Sequence, residues 1–332
     1  MTILVTGGAG YIGSHMVHDL VDAGESVVVL DNLSTGFRFL IPSSVPFITG
    51  SSGDRPLVSD VITQHRVNAI IHFAASIVVS ESVTDPLGYY SNNTMNTCAL
   101  LDVAVKAGIR HFIFSSTAAV YGDTGDIPVR EDAPTVPLSP YGNSKLMSEI
   151  ILHDVGRAHG LQFVVLRYFN VAGADPKLRT GQAAPTATHL IKVACETATG
   201  RRPKMDLFGT DYPTPDGTCI RDYIHVSDLT QAHSAALAYL RSGGGSATFN
   251  CGYGRGASVL EVLAAVRRVS GRDFRVDISG RRPGDAPALV ANVDRIQAAL
   301  PWRPRYQNLD TIVAHALAWE KQLAGRRKTS VA

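Results

Sequence analysis

The N-terminal segment imposes the strongest constraint on how this chain can fold. A short apolar run, Thr2 to Val5, leads directly into the glycine-rich segment Thr6 to Gly13. A strand, a tight glycine turn and a helix in this order leave the first N–H groups of the helix open to an anion such as a pyrophosphate. Asp31 ends the next apolar run, Ser26 to Leu30, 18 residues past Gly13. The pattern predicts a dinucleotide site, and the carboxylate favours NAD over NADP because it would repel a 2′-phosphate.

Strand and helix signals alternate through the first half of the chain. The predicted strands are Ile3 to Thr6, Val27 to Leu30, Pro46 to Thr49, Ala69 to Phe73, His111 to Ser115 and Phe163 to Tyr168. Continuous apolar runs of this kind indicate strands that are buried on both faces. We therefore expect the α/β class, with a doubly wound parallel Rossmann sheet whose ligands bind beyond the carboxyl ends of the strands.

The second half of the chain is less regular. Long loops rich in Gly, Ala and Pro flank a helix that ends near Thr199. After them we place short strands at Ala247 to Cys251 and Phe274 to Ile278, and helices at Val259 to Val269 and Leu309 to Leu323. We expect residues 1–171 to form the NAD-binding Rossmann domain, with a return of the chain to it at about 218–250. Residues 172–332 would form a smaller C-terminal α/β domain that binds the substrate.

Composition excludes several classes of protein. Hydrophobic content of 45% with 18% charged residues is ordinary for a globular enzyme, and no run approaches the roughly 18 apolar residues of a membrane span. The apolar start is too short for a secretory signal, so we expect a cytoplasmic location. A net charge of +2 gives no reason to expect nucleic acid or a membrane as partner. The cysteines lack metal-ligand spacing, so we expect reduced thiols in or near the core and no bound metal. We expect His72 to be a hydrogen-bonded core residue.

A second motif points to proton transfer. Ser139 and Pro140 are typical of a helix start, and the predicted helix continues to about His159. Tyr141 and Lys145 then share a face at i and i+4, where the ammonium would favour the phenolate over a phenol of pKa about 10. A tyrosine so placed can act as a base. The strand that starts at His111 ends in hydroxyls, where Thr117 could hold the same substrate hydroxyl.

These motifs together resemble the extended short-chain dehydrogenase/reductase family, and within it the branch of UDP-sugar 4-epimerases, over nearly the whole chain. The similar stretches are Thr6 to His15, Asp31 to Leu33, Phe114 to Gly122, Ser139 to Lys145, Arg167 to Asn170, Asp211 to Thr218 and Arg221 to Leu229. The last two are specific to this branch.

The resemblance implies an NAD-dependent isomerase that interconverts UDP-glucose and UDP-galactose at C4, through a transient 4-keto sugar and enzyme-bound NADH. NAD would stay tightly bound and be regenerated in each turnover. Tyr141 would take the proton of the 4-hydroxyl, Thr117 would position that hydroxyl, and Lys145 would lower the tyrosine pKa and bind the nicotinamide ribose. The resemblance also implies a homodimer, formed through the helices at Pro86 to Ala107 and Pro140 to His159.

Further residues are assigned to the two ligands on the same resemblance. The NAD set, besides the catalytic Tyr141 and Lys145, is Gly7, Gly10, Tyr11, Ile12, Gly13, Asp31, Asn32, Ser34, Thr35, Gly36, Ser51, Ser52, Phe73, Ala74, Ala75, Asn93, Ser115 and Tyr168. The UDP-sugar set, besides Thr117 and Tyr141, is Asn170, His189, Leu190, Phe208, Arg221, Tyr223, Val259, Arg282, Asp285 and Leu289. Guanidinium groups suit a pyrophosphate because they can bind it with two parallel hydrogen bonds.

The sequence departs from the family pattern near the adenine and phosphates. Gly50-Ser51-Ser52-Gly53-Asp54 replaces the usual Gly-Asp-Ile, so either the serine hydroxyls or a shifted Asp54 would contact the adenine, unless Asp54 only caps the next helix. Ile77 stands where many members have a lysine near the cofactor phosphates, which predicts weaker NAD retention. His189 replaces an asparagine near the UDP and can donate a similar hydrogen bond.

Another departure concerns substrate choice. Leu289 stands at a position that gates the sugar pocket in the family. A leucine there frees volume near C2 but offers an acetamido group no hydrogen bond, which predicts slower conversion of UDP-N-acetylglucosamine to UDP-N-acetylgalactosamine than of the plain hexoses. Alternatively, Leu289 packs into the core and never meets the sugar.

Two other functions fit parts of the pattern. A nucleotide-sugar 4,6-dehydratase or decarboxylase of the same fold would need extra acid or base residues, whereas Ala118 and Ala119 follow Thr117. A non-catalytic NAD-sensing regulator would keep the glycines and lose Tyr141 or Lys145, and both are present.

Overall fold

The computed structural model of the chain describes residues 2–125, 127–282 and 284–329. The strands are β1 (Thr2–Thr6), β2 (Ser26–Asp31), β3 (Phe47–Thr49), β4 (Val67–His72), β5 (His111–Thr117), β6 (Gln162–Tyr168), β7 (Asn170–Ala172), β8 (Met205–Phe208), β9 (Ile220–His225), β10 (Ala247–Cys251), β11 (Gly256–Ser258), β12 (Val276–Ser279) and β13 (Ala288–Leu289). The α-helices are α1 (Tyr11–Asp22), α2 (Arg55–His65), α3 (Val79–Thr84), α4 (Pro86–Tyr89), α5 (Asn96–Lys106), α6 (Pro140–His159), α7 (Leu190–Ala198), α8 (Val226–Arg241), α9 (Val259–Ser270), α10 (Asp294–Ala299) and α11 (Leu309–Thr329).

Seven strands form the central sheet in the order β10-β6-β5-β4-β1-β2-β3, and every neighbouring pair is parallel. All six strands predicted in the first half belong to it, which confirms the α/β class and the Rossmann-like sheet. Successive residues of β1 alternate between two apolar clusters: Ile3 and Val5 join one, and Leu4 joins the other. The sheet is therefore buried on both faces, as the apolar runs predicted.

The connections diverge at the middle of this sheet. From β1 the chain moves outward to β2 and β3, and it then returns to β4 on the other side of β1. At such a switch point, the loops beyond the carboxyl ends of the two strands separate and leave a crevice for a ligand. Gly7 follows β1 and Phe73 follows β4, so the predicted NAD residues of both loops border the same crevice.

The edge strand β10 comes from far along the chain. It pairs in parallel with β6, and the preceding α8 packs on α1. Phe249 in β10 and Leu237 in α8 lie in the same apolar cluster as Ile3. Residues 226–251 thus add one helix and one strand to the sheet that the first half of the chain builds.

A separate apolar cluster joins three helices of the C-terminal half. Helices α7, α9 and α11 pack on one another, with Ile191, Val262 and Ile312 buried between them. The start of α9 is defined by a capping box, in which Ser258 accepts from the Glu261 N–H and the Glu261 side chain accepts from the Ser258 N–H. Strand β9 pairs with β7, β11 and β13, and so lies between the two halves.

The helix predicted over Pro86 to Ala107 is interrupted. A π-helical segment, Tyr90–Met95, separates α4 from α5. The wider π turn places an extra residue in the helix, and Asn93 and Thr94 are buried there. Their side chains bond to α6, where Asn93 donates to the Ser144 hydroxyl (3.0 Å) and Thr94 donates to the Ser144 carbonyl (3.0 Å). The predicted range is therefore helical to Lys106, with a π-helical segment that the sequence did not indicate.

The thiols and His72 largely match expectation. All four cysteines are free thiols, and Cys195, Cys219 and Cys251 are buried, whereas Cys98 in α5 is exposed, contrary to the prediction. His72 is a core residue, bonded to the Thr6 hydroxyl at 2.6 Å and the Thr97 hydroxyl at 2.9 Å. Within the described part of the chain, no helix combines the length and apolarity that a membrane crossing needs.

Candidate active site

The glycine turn after β1 has the shape that a dinucleotide requires. Gly7 has φ +68°, and a Cβ there would lie 2.5 Å from the Ala74 backbone nitrogen. A Cβ at Gly13 would lie 2.2 Å from the Gly7 carbonyl oxygen. Helix α1 starts after Gly10 with neither a side-chain cap nor an acidic residue in its first turn. A pyrophosphate fits this cradle, because the first N–H groups of α1 lack side-chain acceptors and no carboxylate repels an anion.

Asp31 is held at the end of β2 by the backbone around it. Its two carboxylate oxygens accept from Ala9 N–H and Leu33 N–H, each at 2.8 Å. Burial raises the pKa of the Asp31 carboxyl, and the two backbone hydrogen bonds oppose that rise. Each oxygen keeps a second acceptor site, so a carboxylate fixed in this way suits a ribose diol.

The predicted NAD residues at 32–36 form the loop beside the start of α1. The Asn32 side chain accepts from Ser34 N–H at 3.0 Å, and Thr35 is exposed. Gly36 is pressed against Ala9, where a Cβ would lie 2.8 Å from the carbonyl carbon. The loop is thereby drawn towards the glycine turn.

On the predicted adenine side, Asp54 caps α2 by accepting from Leu57 N–H at 3.1 Å. The sequence left open whether Asp54 contacts the adenine or caps the next helix, and in the structure it caps α2. Ser51 accepts from Gly53 N–H at 3.1 Å, and Ser52 is buried. Ile77 is about half exposed, at 48%.

Asn93 ties the loop after β4 to α6. It accepts from Ser76 N–H at 2.7 Å and donates to the Ser76 carbonyl at 2.9 Å. Together with its bond to Ser144, these contacts use both ends of the amide. Asn93 therefore fixes the loop that carries Phe73, Ala74 and Ala75 at the border of the crevice.

The three predicted catalytic residues meet where β5 ends against the first turn of α6. Ser139 caps that helix by accepting from Gly142 N–H at 3.2 Å, and Pro140 occupies its first turn, as predicted. Tyr141, Lys145 and Thr117 are all buried, and the Thr117 hydroxyl, which accepts from Ala119 N–H at 3.1 Å, is near enough to the Tyr141 phenol to influence its pKa. The Lys145 ammonium lies over the Phe114 ring, 4.7 Å from its centre.

The electrostatics of the pair differ from the expectation. Burial raises the pKa of the Tyr141 phenol, and the Thr117 hydrogen bond opposes that rise. Burial also lowers the pKa of the Lys145 amine to about 7, while Glu149 opposes the fall. In the protein alone, the pKa of Tyr141 is thus raised and not lowered, because desolvation outweighs the Thr117 hydrogen bond.

Ser115 and Tyr168 lie on the adjacent strands β5 and β6, and the Ser115 hydroxyl opposes the rise that burial causes in the pKa of Tyr168. The Ser115 hydroxyl also lies 3.0 Å from His233 Nε2 on α8, and the His233 ring packs 4.8 Å from Phe73. These predicted NAD residues therefore line one continuous surface with the loop after β4. His233 belongs to this surface but was missed by sequence reasoning, because its spacing in α8 looks like that of any core histidine.

The predicted UDP-sugar residues cluster around Asp285. Its carboxylate pairs with Arg282 through bonds of 3.0 and 3.2 Å and approaches Arg221 at 3.5 Å. The Arg282 guanidinium lies 5.4 Å from the centre of the Phe208 ring. The structure therefore brings Phe208 and Arg221 together with the local pair Arg282 and Asp285. Both guanidinium groups are partly neutralised by Asp285, a pairing that the sequence did not indicate.

The remaining substrate candidates surround strand β9. Exposed Asn170 pairs with buried Tyr223 in the β7–β9 register. Val259 is the first residue of α9, and its N–H donates to the Cys219 carbonyl at 3.1 Å. Leu289 lies opposite Arg221 in the β13–β9 register. It is half-buried against the apolar cluster of Ala118, Val120, Tyr121, Val129, Phe169 and Ala291, a cluster that includes the residue after Thr117.

His189 and Leu190 lie at the start of α7. The His189 ring meets the Tyr11 ring edge-on at 6.3 Å, and its Nδ1 is buried with no hydrogen-bond partner among the described residues. Burial lowers the pKa of His189. A cavity of about 20 Å³, room for one water, lies between His189, Tyr11 and Lys192.

A buried network behind the catalytic residues was not anticipated. Glu149, in α6, accepts from Arg167 in β6 and from the Ser116 hydroxyl. Its signal in the sequence is the spacing of Tyr141, Lys145 and Glu149 at intervals of four, which repeats one helix face.

Comparison with known proteins identifies relatives along the whole length. The model of the NAD dependent epimerase/dehydratase family matches residues 3–252. A UDP-glucose 4-epimerase of Azospirillum brasilense is 60% identical over 321 residues, covering 97% of this chain and 92% of that protein. The structure of UDP-glucose 4-epimerase from Brucella ovis in complex with NAD has a TM-score of 0.93 at 42% identity, and covers 96% and 97% of the two chains. That from Bifidobacterium longum in complex with NAD+ and UDP has a TM-score of 0.92 at 35% identity, and covers 97% and 98%.

Proposed function

Because the chain belongs to the NAD dependent epimerase/dehydratase family, we propose that it interconverts UDP-glucose and UDP-galactose at C4 of the sugar. It is an NAD-dependent isomerase. The observation that carries the reaction is the meeting of Thr117, Tyr141 and Lys145 at the end of β5, beside the crevice that the glycine turn borders.

The residues of this group have different tasks. Tyr141 exchanges a proton with the 4-hydroxyl of the sugar, and Thr117, whose hydroxyl lies near the phenol, holds that hydroxyl. Lys145 supplies positive charge that stabilises the phenolate and binds the nicotinamide ribose. The chemistry that NAD supplies when bound is the reversible removal of a hydride from C4. The buried site excludes water, which would otherwise compete for the proton.

The nucleotide end anchors the substrate while the sugar turns between its two faces. Arg221 and Arg282 bind the pyrophosphate of UDP, and Phe208 and Asp285 orient the nucleotide around them. UDP-N-acetylglucosamine is a slower substrate, because the apolar Leu289 wall gives its acetamido group no hydrogen bond.

The protein forms a homodimer in the cytoplasm under this proposal. An apolar face of exposed side chains supports the dimer, and its members are Val83, Leu87, Met95, Met147 and Ile150. They belong to the segment from α3 to α5 and to α6, the region that the family resemblance assigns to the contact. Light scattering should give twice the 35.5 kDa mass of the chain, and a monomeric mass would contradict the dimer.

The decisive experiment is incubation of the purified protein with UDP-galactose and no added cofactor. We expect UDP-glucose to form, because NAD remains with the protein. Tyr141→Phe should lower the rate by at least ~10² to 10⁴-fold, as expected for loss of a general base, while NAD still co-purifies. Tyr239→Phe, which changes a tyrosine of α8 packed on Phe249, is the matched control and should keep the wild-type rate. A Tyr141→Phe protein with more than about a tenth of wild-type turnover would contradict the assignment.

A further inference from the structure

Behind the candidate catalytic residues lies a buried ion pair. Glu149 and Arg167 are 2% and 7% exposed, and the guanidinium donates three hydrogen bonds to the carboxylate, of 3.1, 3.1 and 2.6 Å. Glu149 lies one turn beyond Lys145 and two turns beyond Tyr141 on α6, so the three side chains share a face.

The rest of the network leaves both partners fully bonded. The Ser116 hydroxyl, next to Thr117 in β5, donates to Glu149. On the other side, Arg167 also bonds the Tyr121 hydroxyl at 3.0 Å, which in turn donates to Asn250 at 2.6 Å. These charge-assisted hydrogen bonds fix the position of the Glu149 carboxylate and pair its buried charge.

Lys145 has little else to keep it charged. From β5 it meets the uncharged Phe114 ring. From β4 it faces His72, which is neutral because burial, and then Lys145 itself, lower the pKa of that imidazole to about 3. From its own helix it meets the Tyr141 phenol and Glu149, and the carboxylate opposes the fall in the pKa of Lys145 that burial causes. Glu149 is therefore the anion that faces this ammonium in the described residues.

We propose that Glu149 is a positioning residue for the reaction, which keeps the buried Lys145 ammonium charged, and that Arg167 holds the Glu149 carboxylate in place. A buried amine without a nearby anion releases its proton, and a neutral amine would no longer stabilise the Tyr141 phenolate. This inference deepens the proposed function and rests on it only for the role of Lys145.

The test measures the pKa of Lys145 directly. The chain has seven lysines, so protein labelled with ¹³C at the lysine ε-carbon gives a simple NMR spectrum, and Lys145→Met identifies the signal. Glu149→Gln leaves the Arg167 cation uncompensated and should lower the pKa of Lys145 by about one pH unit or more, as expected for loss of an opposite charge a helical turn away. The double variant Glu149→Gln/Arg167→Met removes both charges and should fall between Glu149→Gln and wild type.

Two control variants separate charge from architecture. Ser116→Ala removes the bond between Glu149 and β5 but keeps the charge, so the pKa of Lys145 should stay at the wild-type value. Glu149→Asp keeps the charge, so the pKa of Lys145 should lie close to the wild-type value. A shift of equal size in Ser116→Ala and Glu149→Gln, or no shift in Glu149→Gln, would overturn the proposal. If Glu149→Gln does not fold, the double variant decides: a pKa below wild type supports the proposal, and an equal or higher value overturns it.

Turnover provides a second readout. Lys145 acts in its charged form, so in Glu149→Gln the alkaline loss of kcat should begin at a lower pH than in wild type. If the wild-type protein does not convert UDP-galactose but the order of pKa values holds, the proposed function fails and the role of Glu149 stands. If it converts UDP-galactose and the pKa of Lys145 is the same in all variants, the proposed function stands and the role of Glu149 fails.

Discussion

The close contacts in the glycine turn after β1 predict that Gly13→Ala lowers both stability and NAD content. The new Cβ would lie 2.2 Å from the Gly7 carbonyl oxygen and 2.8 Å from Gly8 Cα, so the turn must shift by about 1 Å to reach an ordinary contact distance. That oxygen accepts from Gly10 N–H at 3.1 Å, and the shift would break this bond. Overpacking of about 1–3 kcal/mol and a lost hydrogen bond of about 1 kcal/mol together cost roughly 2–4 kcal/mol.

Two measurements test this loss of stability and its effect on NAD binding. The apparent melting temperature should fall by roughly 4–8 °C, at about 2 °C per kcal/mol for a long chain. NAD released from the protein by acid should fall well below one per chain, because the displaced turn no longer presents the start of α1 to a pyrophosphate.

Gly24→Ala is the matched control, because Gly24 lies just beyond the other end of α1. Its φ is +77°, but no atom lies within 4 Å of a Cβ there, so the substitution adds only about 1–2 kcal/mol of backbone strain. Its NAD content should equal that of wild type. The reasoning is refuted if Gly13→Ala keeps wild-type NAD content and melting temperature, or if Gly24→Ala loses NAD to the same extent.

Two further predictions concern substrate choice and pH. Leu289→Tyr should lower kcat/KM for UDP-N-acetylglucosamine relative to UDP-glucose, and an unchanged ratio in a folded protein would show that Leu289 does not meet the sugar. His225 Nε2 and His315 Nδ1 share a hydrogen bond of 2.9 Å, and burial lowers the pKa of both rings. Stability is therefore complete above the unfolded pKa of about 6.5 and falls as the pH drops below it, since the unfolded chain binds more protons. His225→Asn should flatten the fall in melting temperature between about pH 7 and pH 5, whereas His159→Asn, at the end of α6, should not; equal slopes would contradict the argument.

The sequence by itself determined what depends on neighbouring residues. The apolar runs were enough to place the strands of the central sheet, and Ser139 with Pro140 was enough to start α6, because periodicity and caps act within a few residues. The glycine spacing likewise predicted the turn whose close contacts the structure shows.

Only the tertiary structure decided what depends on burial and on distant partners. The fall in the pKa of Lys145 follows from its enclosure between β4, β5 and α6, which no local spacing reports. Asp285 is shared between Arg282 and Arg221, and Glu149 meets Arg167, because the fold brings separate segments together. Desolvation and charge pairing act through space, so the spacing of Tyr141 and Lys145 could indicate which groups react but not the charge they carry.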